Sequence, residues 1–124
     1  MLPPDLQRLS RIRDYCDLIE TTVKRFGGTY EHFANDVDFQ QSISFSILQI
    51  GELAGNLSED MRSATNTEVN WSHIKGMRNI VAHHYGKIDF SIVWSVATAD
   101  IPKLKEFCDR QLGSAAQAAI KDMK

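Results

Sequence analysis

The N-terminal part of the chain has a regular amphipathic pattern. Apolar residues recur there at spacings of three and four, which is the period of an α-helix with one buried face. The stripe consists of Leu9, Ile12, Cys16, Ile19, Val23 and Phe26. It predicts a helix from about Asp5 to Phe26. The pair Gly27-Gly28 would end this helix, because glycine readily adopts the conformation found just past a helix C-terminus.

A second stripe predicts a central helix. This helix starts near Asp36, a residue type that caps helix N-termini well. Its apolar positions are Phe39, Ile43, Ile47, Ile50, Ala54 and Leu57. Phe45 and Leu48 widen the stripe, so we expect this helix to be buried on more than one side.

Two shorter elements follow the central helix. Residues 58–60, Ser-Glu-Asp, predict a short helical turn, because acidic side chains are favourable at a helix N-terminus. Residues 66–70 have the composition of a loop. Asn70 or Ser72 then caps a helix whose apolar positions are Trp71, Ile74, Met77, Ile80 and Val81.

The last stripe predicts a long helix that proline interrupts. Its positions are Phe90, Val93, Ala97, Ile101, Leu104, Cys108 and Leu112. Pro102 would kink or split this helix, because proline cannot donate the backbone hydrogen bond to the preceding turn. No segment alternates with period two, so the fold class is all-α, an up-and-down bundle of four to five helices. The helical domain is residues 1–113, and residues 114–124 form a C-terminal tail with little to bury.

Composition limits how the chain can hold a polyanion. The 124 residues suit one domain, 43% of them are hydrophobic and 24% charged, and the net charge is −2. Such a domain lacks the broad positive surface of a strongly basic nucleic-acid-binding protein, so an anion would have to be held locally. One segment suits this: between Val69 and Ile88 there is no acid, while Lys75, Arg78 and Lys87 are cationic. The lysines alone would also fit a solvated helix face.

Cysteine usage and hydropathy indicate the compartment. Cys16 and Cys108 both fall on apolar stripes, so they are expected to be small buried hydrophobes in a reducing compartment and not a disulfide. No apolar run approaches transmembrane length, and the N-terminal residues lack the apolar centre of a signal peptide. We therefore expect a cytoplasmic protein without membrane contact.

The acid-free segment carries the candidate chemistry. Arg78 is a planar cation that can grip a phosphate through two parallel hydrogen bonds. His83 can give and take protons near neutral pH. Phosphate binding plus proton transfer suffices to cut RNA without a metal, because the RNA supplies its own nucleophile, the 2′-hydroxyl.

A single straight helix does not bring these side chains together. Arg78 and Tyr85 are seven residues apart and share a face, while His83 is turned about 140° from Arg78. Either the helix ends near Ala82 and His83 swings back, or His83 meets Arg78 of a second subunit. The two arrangements are compatible with each other.

The pattern around these residues resembles a known family. The segment from Trp71 to Asn79, the His83-x-Tyr85 piece and Gln49-Ile-Gly-Glu-Leu53 resemble the HepT-like branch of the HEPN superfamily, the higher eukaryotes and prokaryotes nucleotide-binding domains. Trp94 and the stretch from Asp100 to Leu104 extend the resemblance over most of the chain.

The resemblance implies a function. HEPN domains of this type are dimeric helical bundles and metal-independent endoribonucleases, commonly toxins paired with a minimal nucleotidyltransferase (MNT) as antitoxin. The family motif Arg-x4-His-x-Tyr corresponds to Arg78, His83 and Tyr85, with Arg78 and His83 catalytic. The resemblance also implies that the partner attaches adenylyl groups to the hydroxyl of Tyr85. A half-buried structural phenol is the alternative for this residue.

Four further residues are candidate supporting groups. Asn79 would orient the phosphate or His83, or it is a surface amide. Glu52 would pair with Arg78 and hold it in position, or it points to solvent. Lys75 adds positive charge, and His84, a second imidazole, has no assigned role.

Neither a metal nor a cofactor is expected. His73, His83 and His84 lack a cysteine or well-spaced carboxylate that would complete a ligand set, and adjacent imidazoles on a helix diverge by about 100°. The expected partners are RNA, a second copy of the chain and the MNT-type antitoxin. The alternative function is a non-catalytic HEPN module that binds nucleotide or RNA, or scaffolds a nucleotidyltransferase.

Overall fold

The computed structural model describes residues 3–82 and 88–123, and their regular structure is helical throughout. The elements are α1 (Pro3–Arg25), α2 (Tyr30–Asn35), α3 (Val37–Gly55), α4 (Glu59–Thr65), α5 (Trp71–Ala82), α6 (Phe90–Ser95), a π-helical turn (Val96–Asp100) and α7 (Ile101–Asp122). The last three form one continuous rod. The predicted all-α class is therefore confirmed.

Side-chain caps start the helices where the sequence indicated. The carboxylate of Asp36 accepts a hydrogen bond from the backbone N–H of Phe39 at 3.0 Å and starts α3. The hydroxyl of Ser58 accepts from the N–H of Met61 at 3.1 Å and starts α4. Of the two candidates for α5, Asn70 is the cap, because its side-chain oxygen accepts from the N–H of His73.

Helix α3 is the centre of the bundle. It packs against α1 on one side and α5 on another, while α7 packs against α1. Fully buried isoleucine and phenylalanine side chains from these helices fill the space between them. The prediction that the second stripe belongs to a central helix is thus confirmed, although Phe45 lies on an exposed face of it.

Helix α2 was not predicted from the sequence. It has six residues, and Phe33 is its one buried side chain. Phe33 packs in a cluster with Phe39, Phe90 and Trp94, whose rings lie 5.0 to 5.9 Å from its own. A single anchoring residue leaves no periodicity to detect, and only the N-cap Thr29 marked this helix.

The last rod differs from the prediction in two places. Pro102 does not end the helix, which continues through it; the irregularity lies just before the proline, in a π-helical turn where the N–H of Ile101 bonds the carbonyl of Val96, five residues back. The helix also extends into the predicted C-terminal tail. The helix does not end near Leu112 but continues through Gly113 to Asp122, with most of these last residues exposed.

The α1–α7 interface combines an apolar centre with a charged rim. Cys16 of α1 and Cys108 of α7 are buried, free thiols, and burial raises the pKa of Cys108 to about 12. At the rim, Arg13 bonds Asp109 at 2.9 Å. Lys105 contacts both Asp17, at 3.0 Å, and Glu20, at 3.2 Å. The cations Arg13 and Lys105 thus each meet a carboxylate of the facing helix.

None of the helices in residues 3–82 and 88–123 is both long and apolar enough to cross a lipid bilayer.

Candidate active site

Arg78 lies where α5 crosses α3 at very short range. A Cβ atom added to Gly51 of α3 would lie 2.7 Å from the Cβ of Arg78 and 3.2 Å from its backbone nitrogen. Real Cβ atoms essentially never come within 3.0 Å of another heavy atom in this way. Position 51 therefore requires glycine, and this contact fixes the Cα of Arg78 on the surface of α3.

A second glycine extends the contact by one turn. Gly55 faces the aliphatic stem of Lys75 at 3.7 to 3.8 Å, an ordinary van der Waals distance. The numbers rise along α3 as they fall along α5, so the two helices run antiparallel here. Gly51 and Gly55 thus form a shallow glycine groove, in which the bases of the Lys75 and Arg78 side chains lie.

Glu52 forms an ion pair with Arg78. Its Oε1 lies 2.5 Å from the Arg78 Nε, so the pairing considered from the sequence is present. The contact is mainly Coulombic, because the buried Nε–H is not aligned on this oxygen or on another acceptor among the described residues. The two side chains remain 42% and 45% exposed, and such a pair contributes about 0–1 kcal/mol to stability.

The ion pair with Glu52 contacts only one of the three nitrogens of the Arg78 guanidinium. Glu52 contacts Nε, which leaves the paired terminal nitrogens of the guanidinium out of this contact. A bidentate grip on a phosphate uses two nitrogens of the planar guanidinium. Glu52 and the glycine groove therefore limit the positions that Arg78 can adopt while leaving donors for an anion.

The remaining described candidates lie on the surface of α5. Lys75 and Asn79 are exposed, one turn before Arg78 and directly after it. His73 turns away from this face and lies 3.4 Å from the carboxylate of Asp100 in the π-helical turn. Within the described ranges, no three His, Cys, Asp or Glu side chains are grouped so that they could hold a metal ion.

His83, His84 and Tyr85 lie outside the described residues, and α5 is described as far as Ala82. Their roles stay predictions. The two ways of bringing His83 to Arg78, within one chain or across two, stay open.

Gly51 is the site residue that sequence reasoning missed. It belongs to the Gln49–Leu53 segment that carries the family resemblance, but the sequence pattern assigns it no role. Its signal was a glycine in the middle of an apolar helical stripe, where it lowers helix stability unless close packing requires it.

Known proteins with similar sequences are ribonucleases by name. A protein named "Putative RNase" from Caldanaerobacter subterraneus subsp. tengcongensis is 30% identical over 98 residues, covering 79% of this chain and 85% of that protein. Another "Putative RNase", from Methanocaldococcus jannaschii, is 29% identical over 83 residues, 60% of this chain and 75% of that protein. A "Probable ribonuclease HepT" from Thermococcus cleftensis is 28% identical over 97 residues, 78% of this chain and 86% of that protein.

No solved structure matches the chain at a significant level. The family described as ribonuclease HepT-like matches residues 8–111, a range that contains Glu52, Arg78 and the whole glycine groove. The resemblance seen in the sequence is therefore confirmed, and the chain belongs to the HepT-like family.

Proposed function

We propose that this protein is a metal-independent endoribonuclease in which Arg78 holds the scissile phosphate and His83 moves the proton. The observation that carries the proposal is the placement of Arg78, fixed by Gly51 and paired with Glu52 through Nε. Membership of the ribonuclease HepT-like family and the names of the relatives support it.

The proposed reaction needs only the RNA and side chains of the chain. His83 takes the proton of the 2′-hydroxyl, whose oxygen attacks the adjacent phosphorus, or it protonates the leaving 5′-oxygen. Arg78 stabilises the negative charge that builds on the phosphorane, with donors that are already oriented before the reaction. The bond to the 5′-oxygen breaks, and that oxygen takes up a proton to replace the one released by the 2′-hydroxyl, with solvent taking the part in this exchange that His83 does not. The products are a 2′,3′-cyclic phosphate and a 5′-hydroxyl.

We further propose that the enzyme is a homodimeric toxin silenced by an MNT-type nucleotidyltransferase. Two copies would place His83 of one beside Arg78 of the other. Adenylylation of Tyr85 would add bulk and negative charge two residues from His83, and an anionic RNA would be repelled by the same electrostatics that govern phosphorylation. A Tyr85→Phe protein should then stay active in the presence of the partner and ATP. If the partner silences that variant fully, silencing does not depend on adenylylation of the Tyr85 hydroxyl.

The test of the proposed function is RNA cleavage in excess EDTA by the wild type and by His83→Ala. Wild-type cleavage that leaves 2′,3′-cyclic phosphate ends, and loss of cleavage in His83→Ala with an unchanged circular dichroism spectrum, would support the proposal. The protein must be free of any partner and of any adduct on Tyr85, which mass spectrometry checks. An unmodified, folded wild type that cuts no RNA would favour the non-catalytic HEPN module instead.

A further inference from the structure

A cleft lies between α4 and the first turns of α5. Its volume is about 510 Å³, and two cations, Arg62 of α4 and Lys75 of α5, line it. Glu59 is the acid that also lines it, so the cleft carries a net positive charge. Serine and asparagine side chains make up much of the remaining lining, and these bind phosphate oxygens or water readily. The chemistry of the cleft suits a small anionic group.

Arg62 has donors that the rest of the described structure does not use. Its Nε is buried and makes no hydrogen bond within residues 3–82 and 88–123. No carboxylate in the same ranges lies within ion-pair distance of it. The described residues therefore leave the charge of the Arg62 guanidinium without a counterion, and its terminal nitrogens can bind an anion in the cleft that it lines.

Lys75 lies between the cleft and the proposed active site. Lys75 lines the cleft and also lies on Gly55, one turn before Arg78 on the same side of α5. Three residues of an α-helix advance about 4.5 Å along its axis, so one extended strand can pass from Arg78 to the cleft. The first turn of α5, which lines the cleft, contains no acidic residue.

We propose that this cleft binds a second backbone phosphate of the same RNA strand, next to the phosphate held by Arg78. The inference rests on the proposed function and extends it to the substrate. Arg62 and Lys75 would contact phosphate oxygens and no base, so they would position the strand without reading its sequence. The enzyme would therefore prefer strands that reach from the scissile phosphate into the cleft.

Strand length provides the first measurement. The ratio of kcat/KM for an octanucleotide to kcat/KM for a dinucleotide should be high in the wild type, because only the longer strand has a phosphate for the cleft. Arg62→Gln and Lys75→Gln should each lower this ratio about tenfold, as expected for the loss of a hydrogen bond to a charged group. Arg25→Gln, an exposed arginine at the end of α1, is the matched control and should keep the ratio.

Salt dependence provides a measurement that does not need cleavage. The probe is an octanucleotide with 2′-O-methyl groups throughout, which cannot supply the nucleophile. Each lost phosphate contact should lower the slope of log K against log salt concentration by about 0.7, the single-strand value. The circular dichroism spectrum and Tm of each variant check that its fold is intact.

The outcomes separate this inference from the proposed function. If the wild type cleaves RNA and both variants keep the wild-type length ratio and salt slope, the proposed role of the cleft is wrong and the proposed nuclease function stands. The same loss in Arg25→Gln would also overturn it, because bulk charge and not the cleft would then set affinity. A wild type that cuts no RNA but binds the methylated strand with a salt slope lowered by Arg62→Gln would overturn the nuclease and support the cleft. Unchanged RNA binding in the variants, with loss of binding to an acidic protein partner, would overturn the RNA assignment.

Discussion

The α1–α7 interface and the α3–α5 crossing differ in the number of acids around their cations. At the α1–α7 interface, Arg13 and Lys105 each lie within ion-pair distance of two carboxylates. At the α3–α5 crossing, Arg78 contacts one carboxylate, and Lys75 contacts none within the described residues. A cation with fewer acids around it keeps more of its charge and more of its donors for a ligand. On this criterion the cations of the α3–α5 crossing are better suited to bind an anion than those of the α1–α7 interface.

Backbone distance differs between the same two regions. The α1–α7 interface is filled by side chains such as Cys16 and Cys108, both of which are buried. The α3–α5 crossing instead has a glycine against the Cα and backbone nitrogen of Arg78. Because the two backbones approach so closely at the crossing, the Cα and Cβ atoms of Arg78 have little room to move. Contacts between side chains alone would restrict these atoms less.

The largest expected effect is the loss of cleavage in Arg78→Lys. An ammonium group cannot reproduce the bidentate contact of a guanidinium, so kcat should fall by about 10²-fold or more. Arg13→Lys, the same substitution at a compensated position, is the control and should keep wild-type kcat. Initial rates on one RNA under single-turnover conditions compare the two. Equal rates for both variants would contradict the distinction between the two regions.

Gly51→Ala should cause the largest loss of stability. Its new Cβ would clash with Arg78 at 2.7 Å, and overpacking of this kind costs about 1–3 kcal/mol of unfolding free energy. Gly55→Ala places a Cβ against the flexible stem of Lys75 at 3.7 Å or more, so it should cost less and can gain helix propensity. Urea unfolding of the two variants measures the difference. A Gly51→Ala protein as stable as Gly55→Ala would show that the crossing is looser than described.

Glu52→Gln should affect cleavage more than stability. The pair is nearly half exposed, so its loss should change the unfolding free energy by less than about 1 kcal/mol. Because Glu52 is a positioning residue for Arg78, we expect kcat to fall about tenfold with little change in KM. Steady-state kinetics and thermal unfolding of one preparation give both values. A fall in Tm that accounts for the lost activity would assign Glu52 a purely structural role.

Lys105→Gln should cause the smallest loss of stability, and this loss should disappear at acidic pH. A hydrogen bond from Lys105 lowers the pKa of Asp17, so the unfolded state binds more protons at this group than the folded state does. The stabilisation is present above the ordinary aspartate pKa of 3.8 and is lost as the pH falls through the lowered value. Thermal unfolding should give the variant a slightly lower Tm than the wild type at pH 7. At pH 2 to 3 the two proteins should have the same Tm. A difference that grows in acid would contradict the pairing.

The sequence predicted the parts of this fold that periodicity and capping determine. The apolar stripes located α1, α3, α5 and the last rod, and Asp36 and Ser58 marked two helix starts. Helix α2 was missed because one buried residue, Phe33, anchors it. The continuation beyond Gly113 was missed because an exposed helix leaves no apolar stripe, and a lone glycine is a weak signal for its end.

The site was predictable in residue type and less so in geometry. Arg78 and its possible pairing with Glu52 followed from the motif and from the chemistry of a carboxylate on the central helix. The role of Gly51 did not follow, since a contact between α3 and α5 depends on how the helices are docked. The sequence does not mark Arg62 as a site residue, because the cleft that it shares with Lys75 forms only when α4 and α5 are docked.

The two buried thiols make separation of α1 from α7 measurable by thiol alkylation. Cys16 and Cys108 are both 0% exposed, so an alkylating reagent can reach them only after α1 and α7 separate. The α3–α5 crossing contains no cysteine. A variant that loosens only this crossing should keep both thiols protected, whereas a variant that unfolds the bundle should lose the protection. The labelling rate of the native chain thus distinguishes local damage at the site from global unfolding, without an added probe.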